Sequence, residues 1–346
     1  MKALLLSKYK HLQIVDLPVP TAGPGEVLVR VAACGICGSD VHGYDGSSGR
    51  RIPPIVMGHE AAGRIAEVGS GVAGYRIGDR VTFDSTIYCG ACEYCRRGEV
   101  NLCDNRQVLG VSCGDYRRAG AFAEFVAVPS RIVYRLPDSL SFEEAAMLEA
   151  VSVAVHAVSL AEVSGKRTAL VVGAGMIGLL IVQALRAADC SRILVSDLDS
   201  SRLKLAEDVG AHVALSAKSD VPAQVGKLTG GAGADVAIEA VGQTDSIKAS
   251  IESIRKGGTV ILVGNIAPEV TFPLQRVVTR QIRIQGSCAS AGEYPRAMEL
   301  LATGAIQVKK LITAVAPLDE GPQWFDRLYA REPKLMKVVL TPGAVS

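Results

Sequence analysis

Four cysteines, Cys89, Cys92, Cys95 and Cys103, follow one another as C-x2-C-x2-C-x7-C within fifteen residues. Thiolates at this spacing can wrap one tetrahedral metal ion and leave it no open position, the arrangement of a structural zinc site. Thiolates also hold iron–sulfur clusters, and four free thiols in a surface loop are the plainest alternative. A second set is more scattered. Cys37 sits among glycines in Gly35-Ile36-Cys37-Gly38, His59 lies 22 residues further on in Gly58-His59-Glu60, and Glu149 is another acid. A thiolate, an imidazole and a carboxylate can supply an open zinc site, with the fourth position left for water or an alcohol. A lone histidine is more often a structural residue, so this reading depends on the other two groups joining it.

A third feature is Gly173-Ala174-Gly175-Met176-Ile177-Gly178, a G-x-G-x-x-G run between the β-branched-rich Leu170-Val171-Val172 and the helix formers of Leu179 to Ala188. In that strand–turn–helix context the pattern predicts dinucleotide binding. The first glycine permits the tight turn, the second lets a pyrophosphate reach the backbone, and the third lets helix pack on strand. The helix amide end favours the negative charge. Asp197 comes nineteen residues after Gly178, at the end of the next predicted strand. A carboxylate there can accept from both ribose hydroxyls and would repel a 2′-phosphate, so NAD is expected over NADP. Its competing role is the N-cap of a helix over Ser200 to Val209, which Asp199 could also fill. Arg202 lies nearby, and Ile177, Val263 and Gly264 complete the expected cofactor-binding set.

The elements that must position these groups fall into two patterns. To about Val153 the chain shows short β segments broken by Gly and Pro: Glu26 to Ala33, Gly63 to Val68, Arg80 to Phe83 and Gly120 to Val128. This spacing suggests a small β-barrel-like domain. From about Ala154 six strand-like runs alternate with helix-length segments: Ala169 to Val172, Arg192 to Asp197, His212 to Leu215, Asp235 to Glu239, Thr259 to Val263 and Gln281 to Gly286. That alternation predicts a doubly wound parallel sheet. Past about Ser287 a helix, Tyr294 to Thr303, and a strand-like Lys337 to Leu340 remain.

Composition sets the outer bounds. The 346 residues, 49% hydrophobic and 21% charged, suit about two globular domains and exclude a disordered, collagen-like or coiled-coil chain. A net charge of +2 offers little to a nucleic acid or an anionic membrane. Ala3 to Leu6 is too short an apolar run for a signal-peptide core, and glycines interrupt the apolar Ala169 to Val182, so a soluble cytoplasmic protein is expected. Nine cysteines, an odd number, argue for metal rather than disulfides. Cys34 reads as a packing residue and Cys37 as the reactive one, while Cys113, Cys190 and Cys288 read as core or surface residues.

Gly35-Ile36-Cys37-Gly38-Ser39-Asp40-Val41-His42, Gly58-His59-Glu60, Gly78-Asp79-Arg80-Val81, the four-cysteine loop and the glycine fingerprint stand in one order along the chain. In that order, and over essentially its whole length, the chain resembles the zinc-dependent medium-chain alcohol dehydrogenase family. It looks most like the polyol branch, the sorbitol (L-iditol) and galactitol-phosphate dehydrogenases, because Glu149 stands where other members carry a cysteine ligand. The resemblance implies an α/β protein with a GroES-like β-barrel catalytic domain over residues 1–153 and 288–346 and a doubly wound Rossmann NAD-binding domain over 154–287. It implies one catalytic and one structural zinc, NAD, a small alcohol or polyol substrate, and a homodimer or homotetramer. Cys37 and His59 would bind the catalytic zinc, joined by Glu60 or Glu149. Ser39 and His42 match the family's proton relay, through hydroxyl, ribose and imidazole to solvent, and Asp40 matches the acid that orients the ligand histidine. The plainer roles are helix N-caps for Ser39 and Asp40 and a surface ring for His42.

The match has departures. Sorbitol dehydrogenases carry Tyr directly after the relay histidine, where this chain has Gly43 and then Tyr44; Ala289 and Ser290 replace an Arg-Tyr pair; and Ala150 replaces a Pro. These changes remove polar substrate contacts and leave the alcohol open. Arg50, Arg51, Arg117 and Arg118 could bind a phosphorylated polyol, although solvated surface arginines are the favoured reading. L-threonine 3-dehydrogenase, a simple secondary-alcohol dehydrogenase, and a zinc-stabilised NAD-binding sensor without turnover are the alternatives.

Overall fold

Glu26–Gly35, EVLVRVAACG, leaves only Arg30 exposed and is the strand around which the first half of the molecule is built. It pairs antiparallel with Glu60–Val68, with Phe125–Pro129 and with Lys337–Thr341. These strands belong to a seven-stranded sheet. Its path runs Val133–Arg135, Arg80–Phe83, Glu60–Val68, Glu26–Gly35, Lys337–Thr341 and Ile312–Pro317. Leu4, Leu6, Val29, Val31, Ile65, Phe83, Phe122 and Phe325 fill one buried cluster against it. The expected strand over Gly120 to Val128 begins only at Phe125. The preceding residues are used otherwise: Gly120, Ala121 and Phe122 donate to the carbonyls of Val56, Gly58 and Met57.

The second half holds six parallel strands, ordered Val213–Ser216, Cys190–Asp197, Gly165–Val172, Ala234–Glu239, Ile254–Leu262 and Arg283–Gly286. Strand order reverses beside Gly165–Val172, whose two neighbours are reached by crossovers in opposite directions, so a crevice opens at its carboxyl end. Apolar residues dominate the interior strands because both faces are covered. Leu170, Leu194, Val225, Ile251 and Val260 lie in the core on one side.

The computed structural model describes residues 1–343. The chain divides into a first unit, Met1–Glu149 with the chain from Val308 onward, and a second unit, Ala150–Gln307. The return to the first unit thus comes about twenty residues later than the expected 287/288 boundary. Side-chain contacts account for the difference. His156 Nδ1 lies 2.7 Å from Glu293 Oε1, and the Gln183 amide bonds both the N–H and the carbonyl of Gln307, at 2.7 and 3.3 Å, so the segment with helix Tyr294–Ala302 is tied to the second unit. Among the described residues, no helix is long and apolar enough to cross a membrane.

Candidate functional site

Strand register brings the first cluster together. Gly35 lies opposite Glu60 on one side and Val339 on the other. Ile36 N–H then donates to Val338 O at 2.9 Å, and Cys37 leaves the strand end to cap helix Gly38–Tyr44. The approach to His59 is clamped by the Gly120–Phe122 backbone. Gly58 has φ of +94°, and a Cβ there would lie 2.8 Å from Phe122 N, so only glycine permits this entry. Gly35 leaves the Glu60 carboxylate its place, since a Cβ would come within 2.4 Å of Glu60 Oε2.

Ligand atoms of Cys37, His59 and Glu60 all lie within 4.8 Å of one another. A zinc tetrahedron with ordinary bonds has edges of roughly 3.3–3.8 Å, so a modest contraction would satisfy it. Soft thiolate, imidazole and carboxylate form a donor set suited to zinc. His59 Nδ1 faces Asp40 Oδ1 at 3.3 Å, which leaves Nε2 as the metal-facing nitrogen. Burial disfavours charge on both partners, yet each favours the other's ionised form. Asp40 is held at about 2 by the His59 ring and by Arg51, and His59 is raised well above its ordinary range by Asp40. Asp40 Oδ2 also accepts Cys37 N–H at 3.2 Å. The N-cap of this helix is thus Cys37 rather than Ser39 or Asp40; Asp40, at the third helical position, closes a capping box back to Cys37 N–H and also contacts His59.

Of the two candidate acids, Glu60 joins the cluster. Its Oε2 lies 2.5 Å from Lys337 Nζ, and both side chains are almost wholly buried. Glu149 is outside the set of three, but its carboxyl is pushed up to about 7, first by removal from water and then by the negative charges of Glu60 and Asp84, with His59 and Lys337 opposing. Lys337 was not singled out in the sequence. Its one signal is a lysine at the head of the apolar run Val338-Val339-Leu340. Ser39 Oγ lies 3.4 Å from His59 Nε2, on the metal-facing side. His42 is exposed.

The second cluster is a lobe of the same unit. Cys89, Cys92, Cys95 and Cys103 also place their sulfurs within 4.8 Å of one another, with Cys89–Cys95 at 3.9 Å and Cys92–Cys95 at 3.5 Å. Cys89 Sγ accepts from the N–H of Ala91 and of Cys92, and these bonds lower its thiol to about 6. Cys95 is pushed up to about 12 by removal from water and by the neighbouring sulfurs. Four crowded sulfurs with opposed proton affinities fit a cation that would take all four as thiolates. All nine cysteines are free thiols; Cys34 and Cys190 are buried, and burial raises both.

In the second unit the glycine turn follows strand Gly165–Val172 and opens helix Met176–Ala187. Gly173 has φ of +97°, a Cβ at Gly175 would meet nothing within 4 Å, and one at Gly178 would strike Gly173 O at 1.8 Å. The turn, the open approach and the close packing thus fall on the three glycines in the order expected. Asp199, not Asp197, caps the helix Ser200–Asp208. Asp197 accepts from Ala174 N–H at 2.6 Å and from Asp199 N–H at 2.9 Å, which orients its carboxylate beside the glycine turn. Arg202 Nε stands 4.0 Å from Asp199 Oδ2. Val263 and Gly264 donate to Glu239 O, and the buried Glu239 carboxylate accepts from Val241 and Gly242, an organising role that the sequence did not reveal.

The departures from the polyol pattern also find places. Tyr44 is buried against Phe325 and donates to Asp326 Oδ1 at 2.7 Å, so it does not replace the tyrosine missing at Gly43. Ser290 is buried and Ala289 takes φ of +52°. Arg51 corrects the surface reading: it is buried and bonded to Asp40. Arg117 donates to Pro54 O and Arg118 to Gln107, while Arg50 is exposed.

Comparison with known proteins gives matches to the alcohol dehydrogenase GroES-like domain over residues 23–138 and to the zinc-binding dehydrogenase domain over residues 177–303. The chain is 35% identical over 348 residues to the sorbitol dehydrogenase of Bacillus subtilis (strain 168), covering 99% of this chain and 98% of that one. It is 36% identical over 326 residues to the D-arabitol-phosphate dehydrogenase of Enterococcus avium, covering 92% and 91%. A zinc-binding dehydrogenase of Sinorhizobium meliloti 1021, solved bound to NADP, superposes with a TM-score of 0.90 at 33% identity over 99% of both chains.

Proposed function

This chain belongs to the polyol branch of the zinc-dependent alcohol dehydrogenases, with GroES-like and Rossmann domains, and on that premise we propose that it transfers hydride between NAD and a polyol or other secondary alcohol. The observation that carries this reading is the convergence of Cys37, His59 and Glu60 within 4.8 Å, in a chain that also holds the glycine fingerprint. When bound, zinc supplies a Lewis acid for the alcohol oxygen and the nicotinamide supplies the hydride acceptor.

The chain's own residues do the rest. Cys37, His59 and Glu60 hold the catalytic metal, and Asp40 fixes the tautomer of His59. Lys337 sets its ammonium against the buried Glu60 carboxylate. Ser39 receives the alcohol proton, and His42 passes it to solvent. Cys89, Cys92, Cys95 and Cys103 hold a structural zinc. In the second unit Gly173, Gly175, Ile177 and Gly178 receive the pyrophosphate, with Val263 and Gly264 just past the end of Ile254–Leu262, two strands away in the sheet. The Asp197 carboxylate takes the ribose and disfavours a 2′-phosphate, so NAD is preferred although a relative binds NADP. An unphosphorylated alcohol is favoured, since Arg51, Arg117 and Arg118 already have partners.

A panel of polyols, polyol phosphates, L-threonine and simple secondary alcohols, read as NADH or NADPH formation, tests the reading. Turnover of a polyol with NAD, with about two zinc per chain, is expected. Turnover of L-threonine alone would replace the substrate assignment, and nucleotide binding with no turnover would favour a sensor. Cytoplasmic residence and a homodimer or homotetramer belong to the same proposal; fractionation and sedimentation test them.

A further inference from the structure

Arg51 is a buried cation with no part in the metal set, yet its contacts lead into it. Its Nη2 donates to Ser39 Oγ at 3.3 Å and to Asp40 Oδ1 at 3.2 Å, and its Nη1 donates to Arg50 O at 3.2 Å. Its Nε is buried without a partner, so the group has given up hydration for these contacts. Two further features hold it there. Ser112 clamps the backbone on either side, with Ser112 N–H donating to Arg50 O and Ser112 Oγ donating to Ile52 O at 2.7 Å. Helix Gly38–Tyr44 makes room at Gly43, where a Cβ would lie 2.1 Å from Arg51 Cγ. The glycine that stands where sorbitol dehydrogenases carry a tyrosine is thus the space through which the arginine stem passes.

Hydrogen-bond inventory gives the arrangement a consequence. A serine hydroxyl has one donor and two acceptor positions, whereas a guanidinium only donates and stays charged. With Arg51 donating to Ser39, one acceptor position is taken and the serine hydrogen cannot point toward the arginine. Ser39 Oγ also lies 3.4 Å from His59 Nε2; with that nitrogen committed to the metal, the second acceptor position and the O–H both remain for the reacting side. We propose that Arg51 is a positioning residue that presets Ser39, so that its free lone pair meets the alcohol O–H while its own O–H points onward to the relay. The alcohol O–H bond breaks, Ser39 takes that proton and gives up its own toward His42, and the hydride goes from carbon to NAD. The inference rests on the role given above to Ser39.

The test compares R51M, R51K, G43A and S39A, singly and with R51M combined with S39A, in the zinc-loaded enzyme. R51M should lower kcat for alcohol oxidation about 10- to 100-fold and enlarge the solvent isotope effect, with KM for the alcohol and NAD affinity changed less than about 3-fold. Zinc per chain should stay at the wild-type value, because Cys37, His59 and Glu60 are untouched. R51K should recover part of kcat. G43A keeps the arginine but crowds its stem, so it should reproduce the kcat loss even if R51M folds poorly. In the S39A background R51M should add less than about 2-fold, because its effect passes through Ser39. Independent multiplication of the two losses, or loss of the catalytic zinc in R51M and G43A, would overturn the inference. If S39A lowers kcat while R51M and G43A do not, the inference alone falls. If S39A itself turns over normally, the Ser39 role falls and the inference with it.

Discussion

The four-cysteine lobe and the Cys37–His59–Glu60 cluster lie in the same unit and gather soft donors to the same closeness, but they are built in opposite ways. The lobe draws all its ligands from one short segment, is partly exposed, and relies on backbone N–H groups such as those of Ala91 and Cys92 to hold its sulfurs. The other cluster is largely buried and assembled from distant strands, with charged partners at Asp40, Arg51 and Lys337. A closed site needs only its ligands, whereas an open one must be kept rigid while a position stays free, so its surroundings carry the burden.

The sharpest way to break this contrast is to remove one ligand from each. C37A should abolish turnover and lose one of two zinc ions while NAD binding stays nearly intact. C95A should also lose one zinc, yet keep turnover at ambient temperature and inactivate sooner on heating. Metal analysis with kinetics reads both outcomes; equal loss of turnover would erase the distinction.

Next in size is K337M, which strands the buried Glu60 carboxylate. The metal-free protein should lose about 3–5 kcal/mol in denaturant unfolding, and the zinc-loaded protein less. No loss in either form would mean that the distributed cluster does not depend on its charged surroundings.

D197A asks whether the second unit also relies on single charges. NAD affinity should fall about 10- to 100-fold and its advantage over NADP should narrow, measured by titration with both nucleotides. Unchanged affinities would contradict the ribose assignment.

The smallest effect is expected at a long-range pair with no metal role. Burial opposes the Glu293 charge, but His156 and backbone N–H groups hold its carboxyl below the ordinary value. A lowered folded pKa contributes stability above the unfolded value of about 4.3, and that stability is lost as pH falls through the folded value. Wild type should therefore exceed E293Q by about 1–2 kcal/mol at pH above roughly 5, with the gap closing in acid, as read by urea unfolding across pH.

What could be read in advance follows the same division. The cysteine lobe and the glycine turn are local, so spacing alone located them, and the six parallel strands followed from alternation. Lys337 and Arg51 escaped because their partners are set by strand register and by a loop clamped through Ser112, neither of which leaves a periodic trace. The late return to the first unit escaped for a similar reason, since Gln183 and Glu293 bind residues more than a hundred positions away. That Glu60 lies beside Cys37 and His59 could not be read until strand register set Gly35 opposite Glu60.

The strand Lys337–Thr341 lies beside Glu26–Gly35, and its lysine reaches back 277 residues to Glu60. During synthesis the nucleotide-binding unit emerges whole before that strand does, and domains fold as units as they leave the ribosome. The metal-side sheet must therefore wait, with its edge unpaired and Glu60 lacking its counter-charge, until residue 337 is out. A nascent chain halted before that point would carry a folded passenger inside an unfinished host.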